Sequence, residues 1–400
     1  MTKTECILLR NYKNQFENDS HIHEIKININ CIKSLGIYLG HNKTECNEKK
    51  TWLNKLKEFE KLIDSWQSRK LTIFGKTQIV NSLAISKLLY TANVLNYPDQ
   101  SYIKDINRII FSFLWGKRDR IKRKSLIRTI NEGGIGITDF EAKMKASKAA
   151  WVARILRDKG NLGSLMQAWL NSYDMNYLYL IQSNITKPSD FNIKQLPLFH
   201  KEVICAFNEC KCKKNLSKTA LLQQNIWFNK NICYKSNPIF FPTWCKSGYK
   251  YVKDLFNANG FKSVEEIKRQ LVCRKNYLCE YIMLKSVFKK IVVNFKELSN
   301  NSQTNLSNNL NFYFKENLQD ILDKKSQFFY HIILSNKSQK PLMQQYWSRK
   351  FEITSNSVWE KIYREKIKKI FDKSVAEFNF KMLHNLLSCN MYISKWKKYQ

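Results

Sequence analysis

The sequence predicts a mainly α-helical protein with a short β-hairpin near its N-terminus. Between residues 48 and 157, apolar residues recur every three or four positions, which is the spacing of an amphipathic helix. Alternation of apolar and polar residues, typical of a strand, occurs instead in residues 1–45. A chain of 400 residues with 44% apolar content is large enough for two or three domains. We therefore expect a hairpin, then a helical bundle, then further helical segments.

The hairpin is predicted between residues 24 and 40. Residues 24–30 (EIKININ) alternate apolar and polar side chains, and residues 32–39 (IKSLGIYL) do so around Gly36, with Gly40 directly after them. Glycine readily adopts the left-handed backbone conformation that a tight turn requires. We therefore expect a short hairpin that Gly36 and Gly40 punctuate.

Four helices are predicted to form one bundle after the hairpin. The first has a single apolar stripe, and the second ends before Pro98, because the residue that precedes a proline resists the helical conformation. Asp99 or Ser101 is expected to cap the third helix, and alanines in the fourth permit close packing. The expected bounds are 48–66, 76–95, 99–114 and 139–156.

A dense run of positive charge lies between the third and fourth predicted helices, at residues 117–124; we call it the basic block. It contains six basic residues and one acid, Asp119; the basic residues are Lys117, Arg118, Arg120, Lys122, Arg123 and Lys124. Such a run is either a solvated surface or a binding site for a polyanion. Apolar residues precede it and a glycine turn (133–136) follows it, and this position favours binding.

The net charge of the whole chain is +35, which indicates nucleic acid first and an anionic membrane surface second. Lysine outnumbers arginine by 55 to 13, so an AT-rich coding sequence is a second source of the charge. Because the chain has no apolar run of 18 residues and no signal peptide, we expect neither a membrane span nor secretion. The prediction is an intracellular protein, nuclear or cytoplasmic, with reduced cysteines and no evident small-molecule substrate.

Four segments taken together resemble the reverse transcriptases of non-LTR, LINE-type retrotransposons. They are SLGIYLG (34–40), the stretch from Trp66 through RKLTIFGKTQIVNSLAISKLLY (66–90), IIFSFLWGKRDRIKRKSLI (109–127) and EGGIGITDFEAKMKASKAAWVARIL (132–156). The series covers the part of the enzyme that follows the catalytic palm. Single pieces are weak matches, but the order and spacing of the series are specific.

The resemblance implies five regions. They are the end of the palm with a primer-grip hairpin (1–45), a helical thumb with the basic block (46–157), a connection region (158–298), a polar linker (299–311) and a C-terminal helical region that stops before a zinc knuckle (312–400). The connection region is expected to consist of short helices and loops with exposed Asn and Lys, and a capping box is expected at 263–266. In the last region, helices are expected over 310–333 and 358–396, the latter opened by a capping box at 357–360.

The resemblance also implies roles for individual residues. The basic block, with Lys70, Lys76 and Arg128 as auxiliaries, would hold an RNA/DNA template–primer by its phosphates. The primer grip would consist of Gly36, Tyr38, Leu39 and Gly40, although Tyr38 is equally well explained as a tyrosine that packs its ring and solvates its hydroxyl.

Catalysis is not expected from this chain alone. Two-metal polymerases need closely placed carboxylates, and the sequence contains no adjacent pair of aspartates. No catalytic residue and no metal ligand is therefore assigned, and Mg²⁺ is expected only for the intact enzyme. The hypothesis is a catalytically incomplete C-terminal fragment of a LINE-type RNA-directed DNA polymerase. The alternatives are a nucleic-acid-binding protein retained by a host and an inert product of a decayed element.

Other candidate sites are weak. His21 and His23 have no third ligand nearby in the sequence, and His200, Cys205, Cys210 and Cys212 lack the usual zinc-site spacing. Cys205 is expected on an apolar helix face. The glycines at 133–136 predict a tight turn rather than a phosphate-binding loop, because no Lys-Ser/Thr pair follows them.

Overall fold

The protein is described from a computed structural model. The structure describes residues 5–6, 21–22, 25–27, 31–40, 44–116, 118–157, 160–171, 173–191, 193, 196–211, 222–257, 259–272, 276–291, 311–314 and 317–387. Its elements are mostly helices, with short sheets of two or three strands, so the predicted fold class is confirmed. The chain forms two compact units: unit 1 contains residues 1–144 and 334–400, and unit 2 contains residues 145–333.

Among the described residues of unit 1, the strands lie at the N-terminal end. Strands β1 (Glu5–Cys6), β2 (His21–Ile22) and β3 (Ile25–Ile27) form one sheet in the order β1-β3-β2. Strands β4 (Cys31–Ser34) and β5 (Ile37–Gly40) form the predicted antiparallel hairpin. Both residues of its two-residue turn, Leu35 and Gly36, have positive φ, as a type I′ turn requires.

The four predicted helices are present, but the fourth continues after Met144 into unit 2, so only its first residues share the core of unit 1. The second predicted helix contains a π-helical turn (Val80–Ala84), in which Asn81 Nδ2 donates to the Gly136 carbonyl at 2.9 Å and Asn81 Oδ1 accepts from Thr138 N at 2.9 Å. The helices are α1 (Thr44–Gln67), α2 (Ile73–Ile79), α3 (Ile85–Val94), α4 (Gln100–Trp115), the short α5 (Arg123–Leu126) and α6 (Phe140–Arg157).

Unit 2 contains an aromatic core. Helices α7 (Asn161–Asn171), α8 (Tyr177–Gln182), α9 (Leu198–Cys210), α10 (Pro242–Lys246), α11 (Val264–Gln270) and α12 (Tyr277–Ile291) alternate with three hairpins, β6–β7 (Cys233–Tyr234 and Asn237–Pro238), β8–β9 (Phe256–Asn257 and Gly260–Phe261) and β10–β11 (Asn311–Phe314 and Asn317–Asp320). Trp227 and Trp244 are completely buried in this core. The Trp227 indole donates to the Tyr249 carbonyl at 2.7 Å, and the Trp244 indole donates to Glu280 at 2.7 Å.

The prediction that the asparagines of unit 2 are exposed is wrong for two of them. Exposed asparagines were expected in this region, but Asn225 and Asn229 are buried. Asn229 Nδ2 donates to Gln224 Oε1 at 2.8 Å and to the Asn225 carbonyl at 2.9 Å. Because their amides satisfy buried backbone and side-chain groups, these asparagines are structural. The predicted capping box is confirmed: Glu266 N donates to Ser263 Oγ at 3.3 Å, and Ser263 N donates to Glu266 Oε2 at 2.7 Å.

Two helix predictions near the C-terminus are wrong in part. Residues 311–320 form the β10–β11 hairpin, in which alternate positions Phe312 and Phe314 pack against Phe207; the helix there, α13, is Ser326–Lys337. Within the described part of the helix expected over 358–396, the chain forms α15 (Asn356–Tyr363), a π-turn (Arg364–Lys368) and α16 (Lys373–Leu383), and residues 388–396 lie outside the described residues. Ser355 rather than Ser357 caps α15 by accepting from Ser357 N at 3.2 Å. Helix α14 (Leu342–Lys350) precedes it.

The compact units also differ from the five predicted regions. Residues 334–387 belong to unit 1, where Trp359, Tyr363 and Phe380 share a core with Phe59, Leu88 and other residues of the helical bundle. The boundary after Met144 divides the region predicted as thumb. The predicted linker 299–311 lies, apart from Asn311, outside the described residues.

Candidate nucleic-acid interface

The basic block lies between α4 and α5 in unit 1 and is exposed. Arg118, Arg120, Lys122 and Lys124 are all solvent-exposed, and Lys117 lies outside the described residues. Within the part of the chain that the structure describes, Arg118, Arg120 and Lys122 have no side-chain hydrogen bond or ion pair. Their charged groups are therefore available to phosphates.

Apolar residues on both sides hold the basic block in place. Phe111, Phe113 and Leu114 at the end of α4 are buried, and so are Leu126 and Ile127 after the block. Gly116 ends α4 with a φ of +80°, and its N–H donates to the Ser112 carbonyl at 2.7 Å. A chain fixed at both ends in a core presents its charges in a defined place, which a disordered basic tail does not do.

Arg123 has a partly structural role. Its Nε lies 2.7 Å from Asp119 Oδ2, and its guanidinium carbon lies 4.4 Å from the centroid of the Phe111 ring. The ion pair neutralises the single acid of the basic block. Arg123 therefore orders the loop, while the remaining arginines and lysines keep an uncompensated positive charge.

At the glycine turn after the basic block, the backbone of residues 133–136 lies very close to the backbone at Arg128. Gly133 has a φ of +83° and Gly136 a φ of +69°. A Cβ atom at Gly134 would overlap the Arg128 carbonyl, and a Cβ atom at Gly133 would lie 2.6 Å from Tyr363 Cζ. The predicted tight turn is confirmed.

C-terminal residues of unit 1 form hydrogen bonds with the basic block and with the glycine turn. Gln339 N donates to the Lys124 carbonyl at 3.0 Å, and His384 Nε2 donates to the Gly133 carbonyl at 2.9 Å. Burial lowers the pKa of His384 to about 4, so the imidazole is neutral near pH 7. A cavity of about 550 Å³ lies between Arg120, Lys122, Leu342 and His384.

The predicted auxiliary residues differ in their availability. Lys70 is exposed. Lys76 Nζ donates to the Phe113 carbonyl at 2.8 Å at the end of α4, and burial lowers its pKa. Arg128 Nη2 lies 3.0 Å from Glu132 Oε1, and its Nη1 donates to Ser338 Oγ at 3.4 Å. Lys76 and Arg128 thus make internal contacts, which leaves Lys70 as the free auxiliary among the three.

The predicted primer-grip residues lie on the β4–β5 hairpin, which packs on α1. Tyr38 N donates to Thr51 Oγ1 at 3.1 Å, and Asn54 Nδ2 donates to the Tyr38 hydroxyl at 3.2 Å. Leu39 is 49% exposed, and Gly36 occupies the turn; Gly40 ends β5. Lys50 Nζ lies 4.4 Å from the centroid of the Tyr38 ring. Leu39 is therefore exposed to solvent, whereas the backbone N–H and the hydroxyl of Tyr38 are hydrogen-bonded to side chains of α1.

Two of the weak metal candidates, Cys205 and His200, have packing roles. Cys205 lies on the buried face of α9, as expected, and burial raises its thiol pKa. His200 contacts the Tyr177 hydroxyl, and burial lowers its pKa to about 4. Cys212 and His23 lie outside the described residues, within which no group of three His, Cys, Asp or Glu residues is placed to hold a metal.

Sequence reasoning missed a second basic surface on unit 1. Lys368 and Lys373 line a groove of about 630 Å³ together with Gln78, Asn81 and Asn131. The run KIKKIFDK (366–373) places lysines around an aromatic residue, a pattern typical of nucleic-acid-binding surfaces. It was not recognised because the whole segment 358–396 was predicted to be one helix.

Comparison with models of known protein families finds no match to this chain. Within the described residues, no helix is long and apolar enough to cross a membrane.

Proposed function

We propose that this chain binds a nucleic-acid duplex through the basic block, in the manner of the thumb and downstream regions of a LINE-type reverse transcriptase. The block would lie along the RNA/DNA template–primer and neutralise its phosphates. The observation that carries the proposal is the set of exposed, unpaired charges of Arg118, Arg120 and Lys122 on a loop fixed at both ends in a core.

Contacts of this kind hold a duplex without reading its sequence. Lysine and arginine bind phosphate oxygens, which are the same at every base step, and the affinity falls as salt rises because bound counterions are released. A thumb needs this property, since a duplex must move past it during synthesis. The charge of +35 on the whole chain adds a general attraction, so the test must separate the block from the total charge.

The test compares two triple variants that lose the same charge. In the first, Arg118, Arg120 and Lys122 are changed to Ala; in the control, exposed lysines of α1 and α4 (Lys57, Lys61 and Lys104) are changed to Ala. Binding of a 20-base-pair RNA–DNA hybrid is measured by fluorescence anisotropy at fixed salt. We expect the first variant to bind on the order of tenfold more weakly than the control. Equal affinities would show that the block is an ordinary solvated surface.

Polymerase activity is not part of the proposal for this chain. The sequence has no adjacent aspartates to hold two metal ions around an incoming nucleotide. Purified chain incubated with a primed RNA template, Mg²⁺ and deoxynucleotides is therefore expected to extend no primer. Extension above the level of a heat-denatured sample would contradict this expectation.

A further inference from the structure

Phe371 lies almost entirely in solvent, with 98% of its surface exposed. It belongs to the short connection between the π-turn (Arg364–Lys368) and α16 (Lys373–Leu383). Phe378 on the following helix is 54% exposed, whereas Ala376 and Phe380 are buried in the core of unit 1. A single exposed apolar residue needs no explanation, but two exposed aromatic rings on one short segment indicate a binding surface.

Four lysines lie close to Phe371 in the sequence. Lys366, Lys368, Lys369 and Lys373 all lie within five residues of it and are exposed. The nearby acids are already engaged: Glu365 Oε1 lies 2.9 Å from Lys369 Nζ, and Asp372 accepts from Ser374 N at 2.7 Å as the cap of α16. Lys366 and Lys368 have no ion pair within the described chain, so the surface carries a net positive charge.

A groove begins beside the same connection. Lys368 and Lys373, which flank Phe371 in the sequence, both line the groove of about 630 Å³. Its other walls include the side-chain amides of Gln78, Asn81 and Asn131 and the apolar side chain of Phe74. Because both flanking lysines line the groove, the connection that carries Phe371 forms part of its rim.

The structure assigns this surface to single-stranded nucleic acid: Phe371 stacks on an exposed base, Lys366, Lys368 and Lys373 hold phosphates, and the groove receives a neighbouring nucleotide. Proteins that bind single strands combine an aromatic stacking platform with a positively charged groove. A duplex offers Phe371 no free base to stack on, because stacked base pairs cover each other's faces. An apolar protein partner would leave the lysines of the rim without counter-charges.

This site is separate from the basic block and does not depend on it. The two surfaces have no residue in common, and they differ in the form of nucleic acid they bind. A duplex presents only its phosphates to the basic block, whereas the second surface requires unpaired bases. Each binding activity can therefore fail without the other.

The test uses the full chain and two fluorescent probes, a 12-nucleotide oligo(dT) and a 12-base-pair duplex. Phe371→Ala is compared with Phe351→Ala, a matched control at a phenylalanine that is 62% exposed and does not line the groove. We expect Phe371→Ala to weaken oligo(dT) binding about tenfold and duplex binding by less than twofold, whereas the control changes neither. Since Phe371 is almost fully exposed, Phe371→Ala should not alter the melting temperature, whereas Phe351 stacks on Trp347, so binding by the control is compared at a temperature where both variants are folded.

A second variant tests stacking directly. Phe371→Trp is expected to keep the affinity for oligo(dT) and, because a stacked base quenches tryptophan, to lose more emission on binding than the unaltered chain, whose ten tryptophans give the background. Changing Lys366 and Lys368 to Ala should weaken oligo(dT) binding and reduce its salt dependence. The basic-block variant should bind the duplex on the order of tenfold more weakly and keep its oligo(dT) binding.

Three results would overturn the assignment. They are the absence of oligo(dT) binding by the unaltered chain, equal oligo(dT) affinity of Phe371→Ala and its control, and an unquenched indole in Phe371→Trp.

Vesicles of phosphatidylcholine and phosphatidylserine (3:1) provide the last comparison. If Phe371→Ala lowers vesicle binding and leaves oligo(dT) binding unchanged, the surface is a membrane contact instead.

Discussion

At the scale of single residues, Gly134 decides how closely two backbone segments approach behind the basic block. Its N–H donates to the Thr129 carbonyl at 3.0 Å, and a Cβ atom there would overlap the Arg128 carbonyl. The sequence pattern predicted a tight turn, and the structure adds that one of its glycines is required by packing rather than by φ. Such a requirement is not visible in a sequence, because it depends on which segment lies opposite.

Gly134→Ala is therefore expected to destabilise unit 1 by on the order of 3 kcal/mol, because the obstacle is backbone and cannot rotate away. Gly75→Ala is the matched control. A Cβ atom at Gly75, inside α2, would meet its neighbours at 3.5 Å or more, which is an ordinary contact. The control should be neutral or stabilising by about 0.5–1 kcal/mol, since Ala favours the helix. Urea unfolding of both variants measures the difference, and equal effects would contradict the role assigned to Gly134.

His384 predicts a dependence of stability on pH. Burial lowers its pKa to about 4 in the folded chain, whereas an unfolded histidine titrates near 6.5. The unfolded chain thus binds the proton more readily, and the stability present above pH 6.5 falls as the pH decreases toward 4. The loss is on the order of 3 kcal/mol for this residue.

The measurement is the free energy of unfolding at several pH values for the unaltered chain and for His384→Gln, which keeps a donor for the Gly133 carbonyl. The variant should lose less stability than the unaltered chain between pH 6.5 and 4. Identical pH profiles for the two proteins would show that His384 does not contribute.

At the scale of elements, a buried ion pair joins α6 and α9 within unit 2. Lys148 Nζ lies 3.4 Å from Glu202 Oε2 and 3.7 Å from the centroid of the Phe199 ring, and both side chains are almost fully buried. The sequence analysis treated α6 as an alanine-rich packing helix and made no prediction about Lys148. Charged residues are rarely buried, so a sequence gives little reason to look for such a pair.

Glu202→Gln is expected to cost about 3–5 kcal/mol, because it removes the negative charge that lies 3.4 Å from the buried ammonium of Lys148. The double variant Lys148→Met, Glu202→Leu removes both charges and should cost far less, or even stabilise unit 2. Chemical denaturation of Lys148→Met, of Glu202→Leu and of the double variant gives the coupling energy. Additive effects would contradict a direct interaction.

At the scale of the whole molecule, residues 334–387 join the core of unit 1 after an insertion of 189 residues, 145–333. The hairpin and the four helices after it could be predicted, because strand alternation and helical periodicity are local, but the division of the fourth helix between the two units could not. Sequence reasoning failed at the β10–β11 hairpin and at the division of the 358–396 helix. It also missed the shared core, since a contact such as Glu377 Oε2 with Ile73 N at 2.9 Å joins residues that are far apart in the sequence.

The same difference between local patterns and long-range contacts applies to the candidate sites. The basic block could be predicted because its residues are contiguous, whereas the internal roles of Lys76 and Arg128 depend on partners that only the fold identifies. The groove beside Phe371 required residues from three separate segments, 74–81, 129–136 and 368–373.

The central claim, that the basic block holds duplex phosphates, is tested most directly by the salt dependence of binding. The logarithm of the affinity for an RNA–DNA hybrid is plotted against the logarithm of the salt concentration for the unaltered chain and for the Arg118, Arg120, Lys122→Ala variant. The slope should shrink by roughly 0.9 for each phosphate that the variant no longer neutralises, or about 2–3 in total. The Lys57, Lys61, Lys104→Ala control should keep the original slope. An unchanged slope for the basic-block variant would contradict the claim.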